Sequence, residues 1–224
     1  MLKALVFDMD GTITHLTLPL EAMRSDTKEY FISKGVPSNL FEPADGISSS
    51  TGKARDYFLN NGFTQEDWDI MESEVDTILS QHEGFAAANA TPIKGSLEIV
   101  RELRDAGFKL AILTNNGRPA LDKIMTQIPL RENFDLIQTR HESPKPKPFP
   151  DGLQKVASEL GVGAREIVYV GDALIDGTAA SRAGIEFWGV STGETGADAL
   201  YDAGASKVFT SLDGVLEAAL TLRE

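Results

Sequence analysis

The sequence predicts an α/β protein in which a doubly wound parallel sheet carries an inserted helical module. Three observations lead to this fold class: an apolar segment typical of a buried strand near the start, a long stretch with helical spacing, and strands that alternate with helices thereafter. Such alternation favours a parallel sheet covered by helices on both faces. The chain has 224 residues, which is enough for one large core and a smaller module.

The first strand and the helical insertion differ sharply in pattern. Residues 4–7 are uniformly apolar and end at Asp8, as a buried parallel strand does where it opens into a loop. From about residue 18 to residue 85 the apolar positions follow helical spacing, so no strand is expected there. An insertion this long with its own apolar faces is predicted to be a module rather than a linker. The predicted domains are residues 1–14 with 92–224, and residues 15–91.

The second half of the chain contains the remaining predicted elements. A helix in the segment SLEIVRELRDAG ends at Gly107, and further helices are expected at residues 153–160 and from Leu212 onward. Short apolar runs between the helices are predicted strands. These strands lie at residues 110–113, 136–137, 167–170 and 187–190 and near 208–209.

Composition excludes several functional classes. The chain has 34 acidic and 21 basic residues, and its net charge of −13 repels a nucleic acid backbone, so no nucleic acid partner is expected. The same charge repels a phosphorylated substrate, so phosphate chemistry would need local cations and a metal. Cysteine is absent, which excludes disulfides, thiolate catalysis and zinc sites built on sulfur. With no apolar run near the ~18 residues of a membrane span and no signal-like start, we expect a cytoplasmic protein without a membrane partner.

Acidic side chains follow two of the predicted strands. Asp8 and Asp10 follow the first strand, and Asp172 and Asp176 follow the strand at 167–170. A hard cation such as Mg²⁺ prefers oxygen ligands, so carboxylates that converge from separate strand ends form a candidate magnesium site. The alternatives are an acidic turn for the first pair and helix capping for the second.

Candidate phosphate-binding groups lie in two further segments. Thr114 and Asn115 follow a predicted strand, where a hydroxyl and backbone N–H groups bind phosphate oxygens, although an ordinary turn or cap has the same pattern. Lys147 lies in a proline-stiffened loop, where its ammonium can bind phosphate as a point charge. Lys145 competes for this role, and a solvated surface lysine is the alternative for both.

In this order the four segments resemble the haloacid dehalogenase superfamily of phosphohydrolases. The matching segments are VFDMDGT, LTN, KPFPD and GDALID, and they cover the predicted Rossmann-like core. The resemblance implies that Asp8 is the nucleophile, that Asp10 is the general acid and base, and that Thr114, Asn115 and Lys147 bind the phosphate. It also implies that Mg²⁺ is held by Asp8, the backbone carbonyl of Asp10 and Asp172. Asp176 would anchor Lys147 or a metal-bound water, with Thr12 beside them.

The insertion at residues 15–91 resembles the helical cap of this family, as in phosphoglycolate phosphatases and β-phosphoglucomutases. The family's dehalogenase and phosphonatase branches lack an acid at the position of Asp10, so the resemblance implies a phosphatase that acts on a small phosphorylated metabolite. A phosphomutase and a non-catalytic phosphate-binding protein are the alternatives. Contacts with the substrate are expected from cations and one histidine, with solvated side chains as the alternative. These residues are Lys53, Arg55, Arg118 and His15.

Overall fold

The computed structural model describes residues 1–193 and 195–223. The contacts within the chain divide it into two compact units. The core unit consists of Met1–Leu16 and Asn89–Glu224, and the helical unit is Thr17–Ala88. The divisions after residues 16 and 88 lie two and three residues from the predicted domain boundaries.

A six-stranded parallel sheet forms the centre of the core unit. Its strand order is β5-β4-β1-β6-β7-β8, so the first strand of the chain lies in the middle of the sheet. The strands of this sheet are β1 (Ala4–Phe7), β4 (Lys109–Leu113), β5 (Leu136–Gln138), β6 (Ile167–Gly171), β7 (Glu186–Val190) and β8 (Lys207–Phe209). All six were predicted, and each end lies within one residue of its predicted position.

Helices cover both faces of this sheet. Ala4 and Val6 face the helices that follow β5 and β6, in an apolar cluster that includes Leu153. Leu5 and Phe7 alternate with them, point to the opposite face and are fully buried. The helices of the core unit are α4 (Ser96–Asp105), α5 (Arg118–Met125), α6 (Asp151–Leu160), α7 (Leu174–Ala183), α8 (Ala197–Asp202) and α9 (Leu212–Thr221). This arrangement confirms the predicted doubly wound fold class.

The helical unit contains three α-helices, and its helical character was predicted from the spacing of its apolar residues. They are α1 (Leu20–Ser33), α2 (Ile47–Asn60) and α3 (Gln65–Ala87), with a short 3₁₀ turn at Ser38–Leu40. Phe31 of α1 stacks on Trp68 of α3 with 5.8 Å between ring centroids, and both side chains are buried in one cluster. A Thr64 capping box begins α3, because the hydroxyl of Thr64 accepts from the N–H of Asp67. In the described parts of the chain no helix is long and apolar enough to cross a membrane.

One ladder of the core unit was not predicted. The strands β2 (Thr14–His15) and β3 (Thr91–Pro92) pair antiparallel, with Thr14 opposite Pro92 and His15 opposite Thr91. Two residues carry too little alternation to indicate a strand. The two segments where the chain leaves and re-enters the core unit are therefore bonded to each other.

Candidate active site

The carboxyl ends of three adjacent strands bring the predicted residues together. Asp8 follows β1, Thr114 follows β4, and Asp172 follows Gly171 at the end of β6. In the register of the sheet, Phe7 lies opposite both Ile112 and Val170, so the three strands end at the same level. All three polar side chains are buried. This edge of a parallel sheet is where ligands bind in open α/β folds.

Lys147 lies inside this group. Its side chain is 3% exposed, and its Nζ atom is 2.6 Å from Asp8 Oδ1 and 2.7 Å from Asp176 Oδ1. The ammonium also donates to the hydroxyl of Tyr169 at 2.9 Å. Burial alone lowers the pKa of Lys147, but the charges of Asp176 and Asp8 outweigh it and raise the pKa above its usual value. Lys145, the competing candidate, lies instead over the ring of Phe149 at 5.3 Å.

Asn115 fixes the loop that carries Lys147. Its Nδ2 donates to the carbonyl of Lys147 at 2.9 Å, and its Oδ1 accepts from the N–H of Lys147 at 2.9 Å. The preceding Thr114 is held by its own N–H, which donates to the carbonyl of Gln138 at 3.0 Å. The side chain of Asn115 therefore anchors the lysine, and Thr114 offers a hydroxyl at the end of β4.

Asp10 has a separate set of partners. Its Oδ1 accepts from the hydroxyl of Thr14 at 3.2 Å, and its Oδ2 accepts from Nδ2 of Asn116 at 2.6 Å. Burial, followed by the negative charge of Asp8, raises the pKa of Asp10 to about 8. A carboxyl group with this pKa carries a proton near neutral pH and can release it to a leaving group.

Three carboxylates form a cluster that fits a divalent cation. Asp8, Asp172 and Asp176 each place an oxygen within 4.8 Å of the others, and all three are buried. Burial and then the charges of Asp8 and Asp176 raise the pKa of Asp172 to about 8. Burial, partly offset by Lys147, raises that of Asp8 to about 6. A hard cation would relieve this repulsion and keep the carboxylates ionised, so the donor set suits Mg²⁺.

Two glycines allow the backbone to approach Asp172 closely. A Cβ atom on Gly11 would lie 2.3 Å from Asp172 Oδ2, and a Cβ atom on Gly193 would lie 1.8 Å from the same oxygen. Gly11 also has a φ of +82°, a conformation that disfavours other residues. Thr12 donates to Asp172 Oδ1 at 3.1 Å, and Thr192 donates to the carbonyl of Gly11 at 2.6 Å. The carboxylate is thus enclosed by two loops that a side chain would disrupt.

One family model covers the part of the chain that contains Asp8, Thr114, Lys147 and Asp172. Residues 5–190 match the family model described as haloacid dehalogenase-like hydrolase. The chain belongs to this family.

Several relatives and solved structures are similar to this haloacid dehalogenase-like hydrolase. It is 28% identical over 194 residues to phosphoglycolate phosphatase from Neisseria meningitidis serogroup A / serotype 4A, covering 85% of this chain and 81% of the relative. It is 26% identical over 186 residues to pyrophosphatase PpaX from Halalkalibacterium halodurans, covering 83% of this chain and 81% of the relative. The crystal structure of a hydrolase from Pseudomonas syringae has a TM-score of 0.68 at 23% identity, with 96% and 98% of the two chains covered.

The candidate substrate residues of the helical unit have partners within that unit. Lys53 lies 2.6 Å from Asp45 Oδ2 and 3.8 Å from Glu42 Oε1. Arg55 donates to Gln65 Oε1 at 3.1 Å on the exposed surface. The side chains of Lys53 and Arg55 are therefore bonded to polar side chains of the same unit. Their role in substrate binding stays a prediction.

The other two candidates belong to the core unit. Arg118 begins α5, lies 2.8 Å from Glu142 Oε2 and donates to the carbonyl of Ile137 at 3.1 Å. His15 is exposed in β2. Arg118 therefore joins α5 to the segment after β5, and contact of either residue with a substrate stays a prediction.

Sequence reasoning did not identify three residues of this site. Tyr169 lies in the apolar run IVYV and was assigned only to a predicted strand, yet its hydroxyl also donates to Asp176 Oδ1 at 2.9 Å. Asn116 belongs to the candidate phosphate-binding loop after Thr114, but its side chain had no assigned role, and Gly193 lies in a segment without a predicted motif. A tyrosine in a buried strand is a usable indication, because a buried hydroxyl requires a partner.

Proposed function

We propose that this haloacid dehalogenase-like hydrolase is a magnesium-dependent phosphatase that acts on a small phosphorylated metabolite through an aspartyl phosphate on Asp8. The observation that carries the proposal is the buried ammonium of Lys147, 2.6 Å from Asp8 and beside the carboxylate cluster. This ammonium favours an ionised Asp8 and offers positive charge to a phosphoryl group. The names of the phosphoglycolate phosphatase and pyrophosphatase relatives support phosphate hydrolysis.

In the first step a carboxylate oxygen of Asp8 attacks phosphorus, and the bond between phosphorus and the leaving oxygen breaks. Asp10 gives its proton to that leaving oxygen, for which its raised pKa of about 8 suits it. In the second step the ionised Asp10 takes a proton from water, the water oxygen attacks phosphorus, and the bond to Asp8 breaks. Lys147 lies next to Asp8, which is the attacking group in the first step and the leaving group in the second, and the Thr114 hydroxyl and the backbone after β4 bind the remaining phosphoryl oxygens.

The residues proposed to hold Mg²⁺ are the carboxylates of Asp8 and Asp172 and the backbone carbonyl of Asp10. When bound, the ion supplies positive charge that neutralises the phosphoryl oxygens. Asp176 lies in the same cluster and accepts from Lys147 at 2.7 Å, so we assign it to holding the lysine. We also propose that residues 15–91 form the cap domain that selects the substrate, by analogy with the family.

The test is the hydrolysis of p-nitrophenyl phosphate with Mg²⁺, compared between the unsubstituted protein and Asp8→Asn. We expect Asp8→Asn to abolish turnover, and rapid-quench mass spectrometry to place the phosphoryl adduct on Asp8. The exposed Asp105→Asn is the matched control and should retain full activity. Equal rates for the unsubstituted protein and Asp8→Asn would exclude the mechanism. Release of inorganic phosphate from a sugar phosphate without a bisphosphate activator would distinguish hydrolysis from a mutase reaction.

A further inference from the structure

The carboxyl group of Asp10 is fixed from both sides by side chains that lie outside the segments of the family resemblance. We propose that Asn116 is a positioning residue that orients the Asp10 carboxyl for proton transfer, with Thr14 as the partner on the other oxygen. This inference rests on the proposed function, in which Asp10 is the proton donor and acceptor. It adds an amide from the loop after β4 to the residues of the reaction.

The geometry of Asn116 is specific. The residue is 3% exposed, and its Nδ2 lies 2.6 Å from Asp10 Oδ2, a short distance for a neutral donor. Thr14 donates to the other oxygen at 3.2 Å, so both oxygens of the carboxyl group have separate donors. Rotation of the carboxyl group about its Cβ–Cγ bond would break both hydrogen bonds.

The backbone of Asn116 is itself held in place. Its N–H donates to the Thr114 hydroxyl at 3.1 Å, and its carbonyl accepts from the N–H of Arg140 at 3.1 Å. Because these bonds fix the backbone on both sides of the side chain, the amide is presented to Asp10 by the end of β4. The same loop thus offers Thr114 to the phosphate and Asn116 to the group that moves the proton.

An amide suits this place because it carries no net charge. The Asp10 carboxyl must remain in one orientation both as an acid in the first step and as a base in the second step. An ammonium or guanidinium at the same place would favour the ionised form strongly, whereas the amide N–H bonds an oxygen lone pair of either form. Asn116 therefore fixes orientation in both steps, and a misplacement near 1 Å costs about 100-fold in rate.

The experiment compares Asn116→Ala with the unsubstituted protein on two phosphate esters. An alkyl ester such as 2-hydroxyethyl phosphate has a poor leaving group and needs the proton, whereas p-nitrophenyl phosphate does not. We expect kcat for the alkyl ester to fall about 10- to 100-fold, with KM within about twofold. Single-turnover phosphorylation by p-nitrophenyl phosphate should change by less than about threefold, and the aspartyl phosphate should decay more slowly and accumulate.

Two further variants separate positioning from structure. Asn133→Ala removes another buried asparagine, whose Nδ2 donates to the Pro129 carbonyl at 2.6 Å, and it should leave the leaving-group dependence unchanged. Asn116→Leu keeps a side chain of similar size, removes the N–H and adds no charge, so it should reproduce the loss if Asn116→Ala does not fold. An equal slowing of phosphorylation by both esters, or the same profile in Asn133→Ala, would overturn the inference. Absence of any Asp8 adduct in the unsubstituted protein would instead refute the proposed function.

Discussion

Replacement of Lys147 by methionine should strongly destabilise the core unit in the absence of metal. The ammonium is 2.6 Å from Asp8 and 2.7 Å from Asp176, and its side chain is 3% exposed. Removal of one partner from a buried ion pair costs about 3–5 kcal/mol, because the remaining charges are left without compensation. Methionine retains most of the apolar length, so little of the loss would come from a cavity.

The pH dependence of this loss follows from Asp8. Burial and the charge of Asp176 raise the pKa of Asp8 to about 6 even with Lys147 present. Loss of the lysine raises that pKa further. A carboxyl group whose pKa is raised by folding destabilises the folded state increasingly as pH rises from its unfolded-state pKa to its folded-state pKa, and this range extends to higher pH in the variant. The difference between the two proteins should therefore grow above about pH 6 and be smaller below it.

The assay is urea unfolding in the presence of a metal chelator. Hydrogen exchange of peptides from β1 and β6 then reports the loss of stability in the core unit, to which both strands belong. Lys155→Met is the matched control, since Lys155 forms an exposed pair with Glu159 at 2.8 Å and should cost less than about 0.5 kcal/mol. The double variant Lys147→Met with Asp176→Asn should regain more than about 1 kcal/mol at pH near 8. A loss for Lys147→Met no larger than that of Lys155→Met, or one that is the same at both pH values, would refute the reasoning.

Three further predictions address other charged or crowded sites. Asp10→Asn should raise the free energy of unfolding by about 1–3 kcal/mol near pH 8 and leave it unchanged near pH 4, because the raised pKa of Asp10 destabilises the folded state as pH rises between those values. Urea unfolding at both pH values measures this difference. Gly193→Ala should weaken the Mg²⁺-dependent rise in melting temperature, because its Cβ atom would lie 1.8 Å from Asp172 Oδ2. Calorimetry measures this rise, and the control Gly196→Ala should show the normal rise because no heavy atom lies within 4 Å of its added Cβ atom. Asp45→Asn should cost the helical unit about 1 kcal/mol near pH 7 and less as pH falls, measured by hydrogen exchange in α2. In the folded protein burial raises the pKa of Asp45, but hydrogen bonds, led by the one from Lys53, lower it to about 2. The stability that Asp45 contributes is therefore lost as pH falls from its usual pKa of 3.8 towards about 2.

The sequence predicted the parallel sheet because its central strands are uniformly apolar. Residues 4–7 and 167–170 are buried on both faces of the sheet, and such strands carry no polar positions that could be confused with a helix face. The β2–β3 ladder escaped prediction because its pairing depends on two segments 76 or more positions apart that each contribute two residues. Local pattern cannot report a contact of that kind.

The candidate site was predictable to the extent that its residues follow strands. Asp8 directly follows β1, and Asp172 directly follows Gly171, the last residue of β6. The carboxyl ends of parallel strands lie at the same edge of a sheet, so these residues come together. The partners that orient them are different in kind. These partners contact residues that are distant in sequence, and only the folded chain determines such contacts. They are the hydroxyl of Tyr169, the amide of Asn116 and the backbone of Gly193, which lacks a side chain.

The charges of the site resolve the conflict between an acidic protein and an anionic substrate. Lys147 sets one positive charge against Asp8 and Asp176, and Asp172 adds a third carboxylate to the same cluster. The raised pKa values of Asp8 and Asp172 show that this balance is incomplete without a cation, so the folded protein bears an electrostatic cost at its strand ends. Three ionised carboxylates and one ammonium leave two negative charges, and a divalent cation bound among them would neutralise these and remove that cost, whatever the net charge of −13 is elsewhere. On the proposed function, attraction of phosphate is therefore a local property that depends on Lys147 and a bound cation, and the repulsion among the carboxylates would give the cluster its affinity for that ion.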